Sequence, residues 1–198
     1  FITAPLPPKE TLAALALLWA VLHKLAKNRD FSWRTSIHVH VNMRDLEESE
    51  LKRFLILTEV FEGFFFDLVG DHRRNSIFCV PLSETELLRQ IKAYIHKKIG
   101  LADLVGSWPK YSALNLSRMF NQGGAPAIGT AEFRHLGGTE NLDLISVWIS
   151  LILKLYESAV KMNDDELKHW LKDLNTSSEY LAFMLQVFGA ELTHHFHI

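Results

Sequence analysis

The sequence predicts an α+β fold: a mostly antiparallel sheet with helices packed on one face and polar residues on the other. Three observations lead there. Strand-like segments appear singly, between helical stretches of twelve residues or more. No glycine-rich phosphate loop of the dinucleotide or P-loop kind follows a strand, which argues against a doubly wound sheet. Finally, two short segments about ninety residues apart, Ile37-His38-Val39-His40-Val41 and Thr130-Ala131-Glu132-Phe133-Arg134-His135, alternate polar and apolar residues. His38, His40 and Asn42 share one strand face, as do Thr130, Glu132 and Arg134. If both faces line one cleft, imidazoles, a carboxylate and a guanidinium converge on a place suited to a metal-bound polyphosphate.

The elements follow in order. Pro5, Pro7 and Pro8 stiffen the lead-in to a helix over 9–28, and residues 29–35 turn into the first strand. Residues 49–70 form a second helix, with Leu51, Phe54, Leu55, Thr58, Phe61, Phe65 and Leu68 at helical spacing. A polar loop over 71–75 enters a brief strand at 76–80, stopped by Pro81. Ser83-x-x-Glu86 reads as a capping box for a helix reaching residue 99, with Gly100 as the stop. Residues 110–119 read as strand or extended connection, 121–127 as a glycine-rich loop and 128–136 as the second polar-lined strand. The rest is helical: 141–162, then helices capped by Asn163-x-x-Glu166 and Thr176-x-x-Glu179, the last ended by Gly189. The tail over 193–198 reads as frayed, and its histidines lack the spaced partners of a structural zinc site.

Composition bounds the function. The 198 residues, 48% hydrophobic and 22% charged, suffice for one domain with a substantial core. A net charge of −2 without a basic stripe argues against nucleic-acid binding. Cys79 is the only cysteine, so no internal disulfide forms, and a reducing, cytoplasmic setting is expected. Flanked by Phe78 and Val80, it reads as a buried, inert thiol. The most apolar run, over 12–22, is shorter than the roughly 20 residues a membrane span needs.

Four motifs, in order over 36–155, resemble those of the amidoligases, relatives of γ-glutamylcysteine synthetase and glutamine synthetase among the carboxylate-amine ligases. They are His38-Val39-His40-Val41; Arg73-Arg74-Asn75 leading to Cys79-Val80-Pro81-Leu82; Lys110-Tyr111-Ser112-Ala113-Leu114-Asn115-Leu116; and Gly129-Thr130-Ala131-Glu132-Phe133-Arg134-His135-Leu136-Gly137-Gly138-Thr139. The resemblance implies a glutamine-synthetase-like curved, mostly antiparallel sheet that cradles ATP and divalent metal, Mg²⁺. It also implies the reaction, in which a small-molecule or peptide carboxylate becomes an acyl phosphate and an amine then displaces phosphate to form an amide. On this basis Glu132 and His38 are expected to hold metal, and His40 and Arg134 to hold nucleotide phosphate. Arg134, Arg73 and Arg74 would neutralise the transferring phosphoryl group, and Tyr111 and Asn115 would position substrate.

The family's strand carrying two glutamates one residue apart has no counterpart before Phe1. The expectation is therefore a carboxy-terminal part of a longer protein, or a chain whose partner supplies that strand, catalytically incomplete alone. Two other readings stand beside the ligase. One is a degenerate relative serving as a structural or interaction module in a larger assembly. The other is a metal-dependent hydrolase using His38, His40 and Glu132.

Overall fold

Three strands carry out the alternation legible in the sequence. The structure is a computed structural model and describes residues 5–25, 34–121 and 126–195. Strands β1 (Val39–Asn42), β2 (Leu114–Asn115) and β3 (Thr130–Phe133) form an antiparallel sheet in the order β1-β3-β2. In register, His40 faces Glu132 from one side and Asn115 faces it from the other, while Val39 and Leu114 flank Phe133. Residues opposed across strands share a face. The middle strand therefore sends Glu132 to a polar face and Phe133 to an apolar one.

Helices cover the apolar face. They are α1 (Pro8–Leu25), α2 (Glu48–Val69), α3 (Asp71–Arg74), α4 (Leu87–Ile95), α5 (Leu101–Gly106), α6 (Leu142–Lys161), α7 (Asp164–Lys172), α8 (Ser177–Phe188) and α9 (Ala190–Thr193). Phe54 and Phe65 of α2 and Trp148 of α6 meet the Phe133 ring near edge-on, at 6.0, 6.5 and 6.2 Å. Phe61, one turn along α2, packs on Phe183 and Phe188 of α8 at 5.1 and 4.9 Å. The apolar side of α6 is thus spent inside this chain, with Ile145, Trp148, Ile152 and Leu155 fully buried.

The predicted caps hold the later helices. Asn163 accepts from the backbone N–H groups of Asp165 and Glu166, and Thr176 accepts from that of Glu179. Gly189, at φ +79°, ends α8 in a conformation that side-chain-bearing residues avoid.

Several expectations are corrected. Residues 71–75 are not a plain loop, since α3 occupies most of them. Residues 76–80 form turns that end in a single parallel bridge from Val80 to Ser112. The segment is too short to hold a ladder once Pro81 removes the next donor. Ser83 caps no α-helix; a 3-10 turn over Leu82–Glu84 comes first, and the α4 helix ends at Ile95, with Lys97 at φ +57°. Gly100 then starts α5, its N–H donating to the Asp103 carboxylate, instead of stopping the previous helix. Of 110–119 only Leu114 and Asn115 are strand. The tail is helical through Thr193, which is 4% exposed, and residues 196–198 lie outside the described residues.

A polar network lies between the sheet end and the helices. Arg73, 1% exposed, donates from Nε to the His135 carbonyl at 2.9 Å and from Nη2 to the Arg134 carbonyl at 2.6 Å. Its guanidinium fork thereby satisfies the backbone just past β3 where the ladder stops. Glu62 accepts the Leu82 N–H on both carboxylate oxygens, at 3.0 and 2.8 Å, and stands 3.8 Å from His135 Nε2. Burial lowers the pKa of His135 below its ordinary value, with Arg73 acting in the same direction and Glu62 opposing.

Two outcomes are expected. Arg73→Ala should lower the unfolding free energy by about 3 kcal/mol, because two carbonyls lose a charged donor and a cavity is left. Arg73→Lys should recover less than half of that in urea titrations, since an ammonium cannot make the fork. Because folded His135 resists the proton that the unfolded chain binds near pH 6.5, stability should fall as pH drops below that value. His135→Phe should make that fall shallower in thermal denaturation between pH 7.5 and 5.5.

Candidate active site

The polar face gathers around one carboxylate. Glu132 is 8% exposed, and each of its oxygens has a partner. Oε1 lies 2.6 Å from His38 Nδ1, 3.7 Å from Arg134 Nε and 3.8 Å from His40 Nε2. Oε2 accepts from the Asn115 amide at 2.9 Å. Burial on its own would raise the Glu132 pKa, yet the hydrogen bond from His38 and the charge of Arg134 outweigh it and hold the carboxyl down at about 2. The group is therefore an anion at any physiological pH.

The neighbours are themselves held in place. The far ring nitrogen of His38, Nε2, lies 2.7 Å from Ser36 Oγ, and Nδ1 of His40 lies 3.0 Å from Thr130 Oγ1. Burial lowers the His40 pKa, the Glu132 charge opposes, and His38 and Arg118 lower it further. Arg134 donates to the Lys110 carbonyl and lies 5.6 Å from the Tyr111 ring centre. Asn115 accepts from the Ser117 N–H at 2.9 Å, which leaves its amide aimed at Glu132.

A cleft of about 860 Å³ opens where β1 and β3 end, walled by Met43, Arg44, Tyr94, Lys97, Met119 and Phe120. There the Met43 N–H donates to the Gly129 carbonyl at 2.9 Å. Arg44 lies across Gly129 and donates to the Ile128 carbonyl at 2.6 Å. A Cβ on Gly129 would stand 2.5 Å from Arg44 Cγ, and the residue's φ of +64° excludes most side chains as well. Thr130, the next residue, carries the His40 contact, but His38, His40, Asn115, Glu132 and Arg134 do not line this cleft.

A family model described as "Putative amidoligase enzyme" matches residues 1–156. The chain belongs to the amidoligase family. No curated protein and no solved structure matches it. The matched span includes the whole sheet, the cleft and the cluster around Glu132.

Within this member of the family, the structure brings together His38, His40, Asn115, Glu132 and Arg134, with Tyr111 against Arg134. It does not bring the other two arginines to them. Arg73 is committed to backbone carbonyls, and Arg74 pairs with Asp67 at 2.9 Å and donates to the Gly63 carbonyl of α2, in the layer beneath the sheet. Ser36 is the partner that sequence reasoning left out, while Thr130 stood on the polar face without an assigned role. Ser36 stands two residues before His38, so the period of a strand already placed it on the same face. Cys79 is fully buried, and burial pushes its pKa up to about 11, as expected of an inert thiol.

Among the described residues no group of three or more His, Cys, Asp or Glu side chains is arranged to hold a metal ion. Mg²⁺ asks for less than that, since one or two carboxylates plus water and phosphate oxygens complete its shell. An anionic Glu132 fits that need. No helix among the described residues is long and apolar enough to cross a membrane.

The depressed pKa has a measurable consequence. Glu132 contributes stability in full above its ordinary value of 4.5 and loses it as pH falls toward about 2. Glu132→Gln should therefore flatten the acid limb of the stability curve in that window, and an unchanged limb would mean the carboxylate is not held by these partners.

Proposed function

We propose that this amidoligase is an ATP- and Mg²⁺-dependent carboxylate-amine ligase, forming an amide through an acyl phosphate. The observation that carries this reading is the convergence of one ionised carboxylate, two imidazoles, an amide and a guanidinium on the sheet's polar face, in a chain of this family.

The chemistry asks for two steps. A substrate carboxylate oxygen attacks the γ-phosphorus of ATP, and ADP leaves. The amine nitrogen then attacks the acyl carbon, the carbon–oxygen bond to phosphate breaks, and the amine sheds a proton. Both steps build negative charge on phosphoryl oxygens, and fixed positive charge lowers that barrier. Arg134 supplies it, its guanidinium oriented by the Lys110 carbonyl and the Tyr111 ring. Glu132 would hold Mg²⁺ with His38 beside it, and the ion would neutralise phosphate oxygens. His40, steadied by Thr130, faces the same space from β1. Asn115 orients Glu132 directly and so acts as a positioning residue. Arg73 acts one layer further back by fixing the Arg134 carbonyl.

ATP with Mg²⁺ at a hundred times its Kd should raise the melting temperature by roughly 5–10 °C through linkage. Glu132→Ala and Arg134→Ala should abolish the shift while leaving a cooperative transition. No shift in the wild-type chain would favour the structural-module reading instead. A shift with Zn²⁺ alone, lost in His38→Ala, would favour the hydrolase.

A further inference from the structure

The contacts of His38 join three residues in an order that amide ligation does not call for. Ser36 Oγ lies 2.7 Å from His38 Nε2, and His38 Nδ1 lies 2.6 Å from Glu132 Oε1. An ionised carboxylate can only accept, so the proton of the neutral imidazole sits on Nδ1 and the Nε2 lone pair faces the Ser36 hydroxyl. Hydroxyl, base and orienting acid thus stand in line, the arrangement that activates a serine for attack on an acyl carbon. The acid end is shut and the base end is open, with the Glu132 side chain 10% exposed and that of His38 29%.

The backbone opposite Ser36 leaves room for a substrate. The Ile37 N–H donates to the Leu136 carbonyl and the Gly138 N–H to the Thr35 carbonyl, which makes Ser36 and Gly137 the close, non-hydrogen-bonded pair of an antiparallel bridge. Side chains of such a pair stand on one face, about 5 Å apart, and Gly137 has none. A Cβ there would meet His72 Nε2 at 3.1 Å and Arg73 Cδ at 3.4 Å. The missing side chain therefore opens a small space across from the serine, with a ring nitrogen on its wall.

We propose that Ser36 is a nucleophile and that the chain hydrolyses esters of small carboxylic acids. In the first step Ser36 Oγ bonds to the acyl carbon and its proton passes to His38 Nε2. The bond to the alcohol oxygen breaks, and His38 returns the proton to that oxygen. A water molecule then attacks the acyl-serine and gives a proton to His38, and the acid leaves as Ser36 recovers its hydrogen. Glu132 holds the ring and offsets the charge it gains in each step. The space over Gly137 takes the acyl group, and its walls favour a short acyl chain over a long one. This activity goes beyond the ligase reading, since it needs neither nucleotide nor amine and water is its only co-reactant.

The test is covalent labelling of the full chain by a small fluorophosphonate in EDTA, read by intact mass and peptide mapping. A phosphorus–oxygen bond forms to the serine as fluoride leaves and the hydroxyl proton passes to His38, so one adduct at Ser36 is expected. Ser36→Ala should take up no label, and His38→Gln should label at least about a hundredfold more slowly than wild type. Gly137→Ala leaves the three residues in place and fills the space, so it should slow the hydrolysis of p-nitrophenyl acetate about tenfold. The proposal is overturned if no adduct forms, if the adduct maps to another residue, or if any of these variants, folded by circular dichroism, behaves like wild type. It is equally overturned if ester hydrolysis is lost in EDTA and returns only with Zn²⁺, which would make the site a metal-dependent hydrolase. Labelling at Ser36 with no ATP–Mg²⁺ shift would uphold this activity and overturn the ligase reading; a shift without labelling would do the reverse.

Discussion

One carboxylate, kept ionised within a largely buried face, sets the terms for the rest of this fold. Burying an anion is costly unless it is paired and hydrogen-bonded. Glu132 stands on the middle strand, the one place from which partners can approach on both sides, and the antiparallel register supplies His40 from β1 and Asn115 from β2. His38 and Arg134, each two residues along a strand from a residue in that row, complete the ring of donors. Had Glu132 stood on an edge strand, half of those partners would have no backbone to come from.

The other face of the same strand is fixed as firmly. Phe133 meets three aromatic rings from α2 and α6, so a one-residue slip of β3 would drive Glu132 into that aromatic core and Phe133 into the polar face. The register that makes the core therefore makes the site. Past the strand's end, where backbone pairing thins to single bonds such as Ile37 N–H to the Leu136 carbonyl, the Arg73 fork holds the Arg134 and His135 carbonyls. A residue expected to work on phosphate thus serves by fixing the backbone of another arginine.

What the sequence made legible follows from which forces are local. Strand alternation needs only a period of two, so the shared faces of His38 with His40 and of Glu132 with Arg134 were readable, as was the α+β class. The caps at Asn163 and Thr176 are likewise local, satisfied within three residues. Ser83 carried the same local signature and failed, because the Leu82 N–H is taken by Glu62, twenty residues earlier, and the chain tightens into a 3-10 turn there. The same distance effect hid the role of Arg73, whose partners lie 61 and 62 residues away. Its sequence neighbour Arg74 finds a different layer altogether, pairing with Asp67. No pattern of spacing distinguishes two adjacent arginines that turn to opposite tasks.

The charge pairing of the cluster bears on how ligands enter it. Arg134 and Glu132 lie 3.7 Å apart, each about nine-tenths buried, and they offset one another. A phosphate drawn to Arg134 alone would take away part of what compensates the Glu132 anion. A cation drawn to Glu132 alone would face the guanidinium and both imidazoles at close range. Either ligand singly leaves a buried charge poorly matched, which costs several kcal/mol. A phosphate and a cation arriving together replace one matched pair by two, with Arg134 turned to the phosphate and Glu132 to the metal. Under the proposed ligase reading, joint entry of metal and nucleotide is therefore what the electrostatics of the cluster favour.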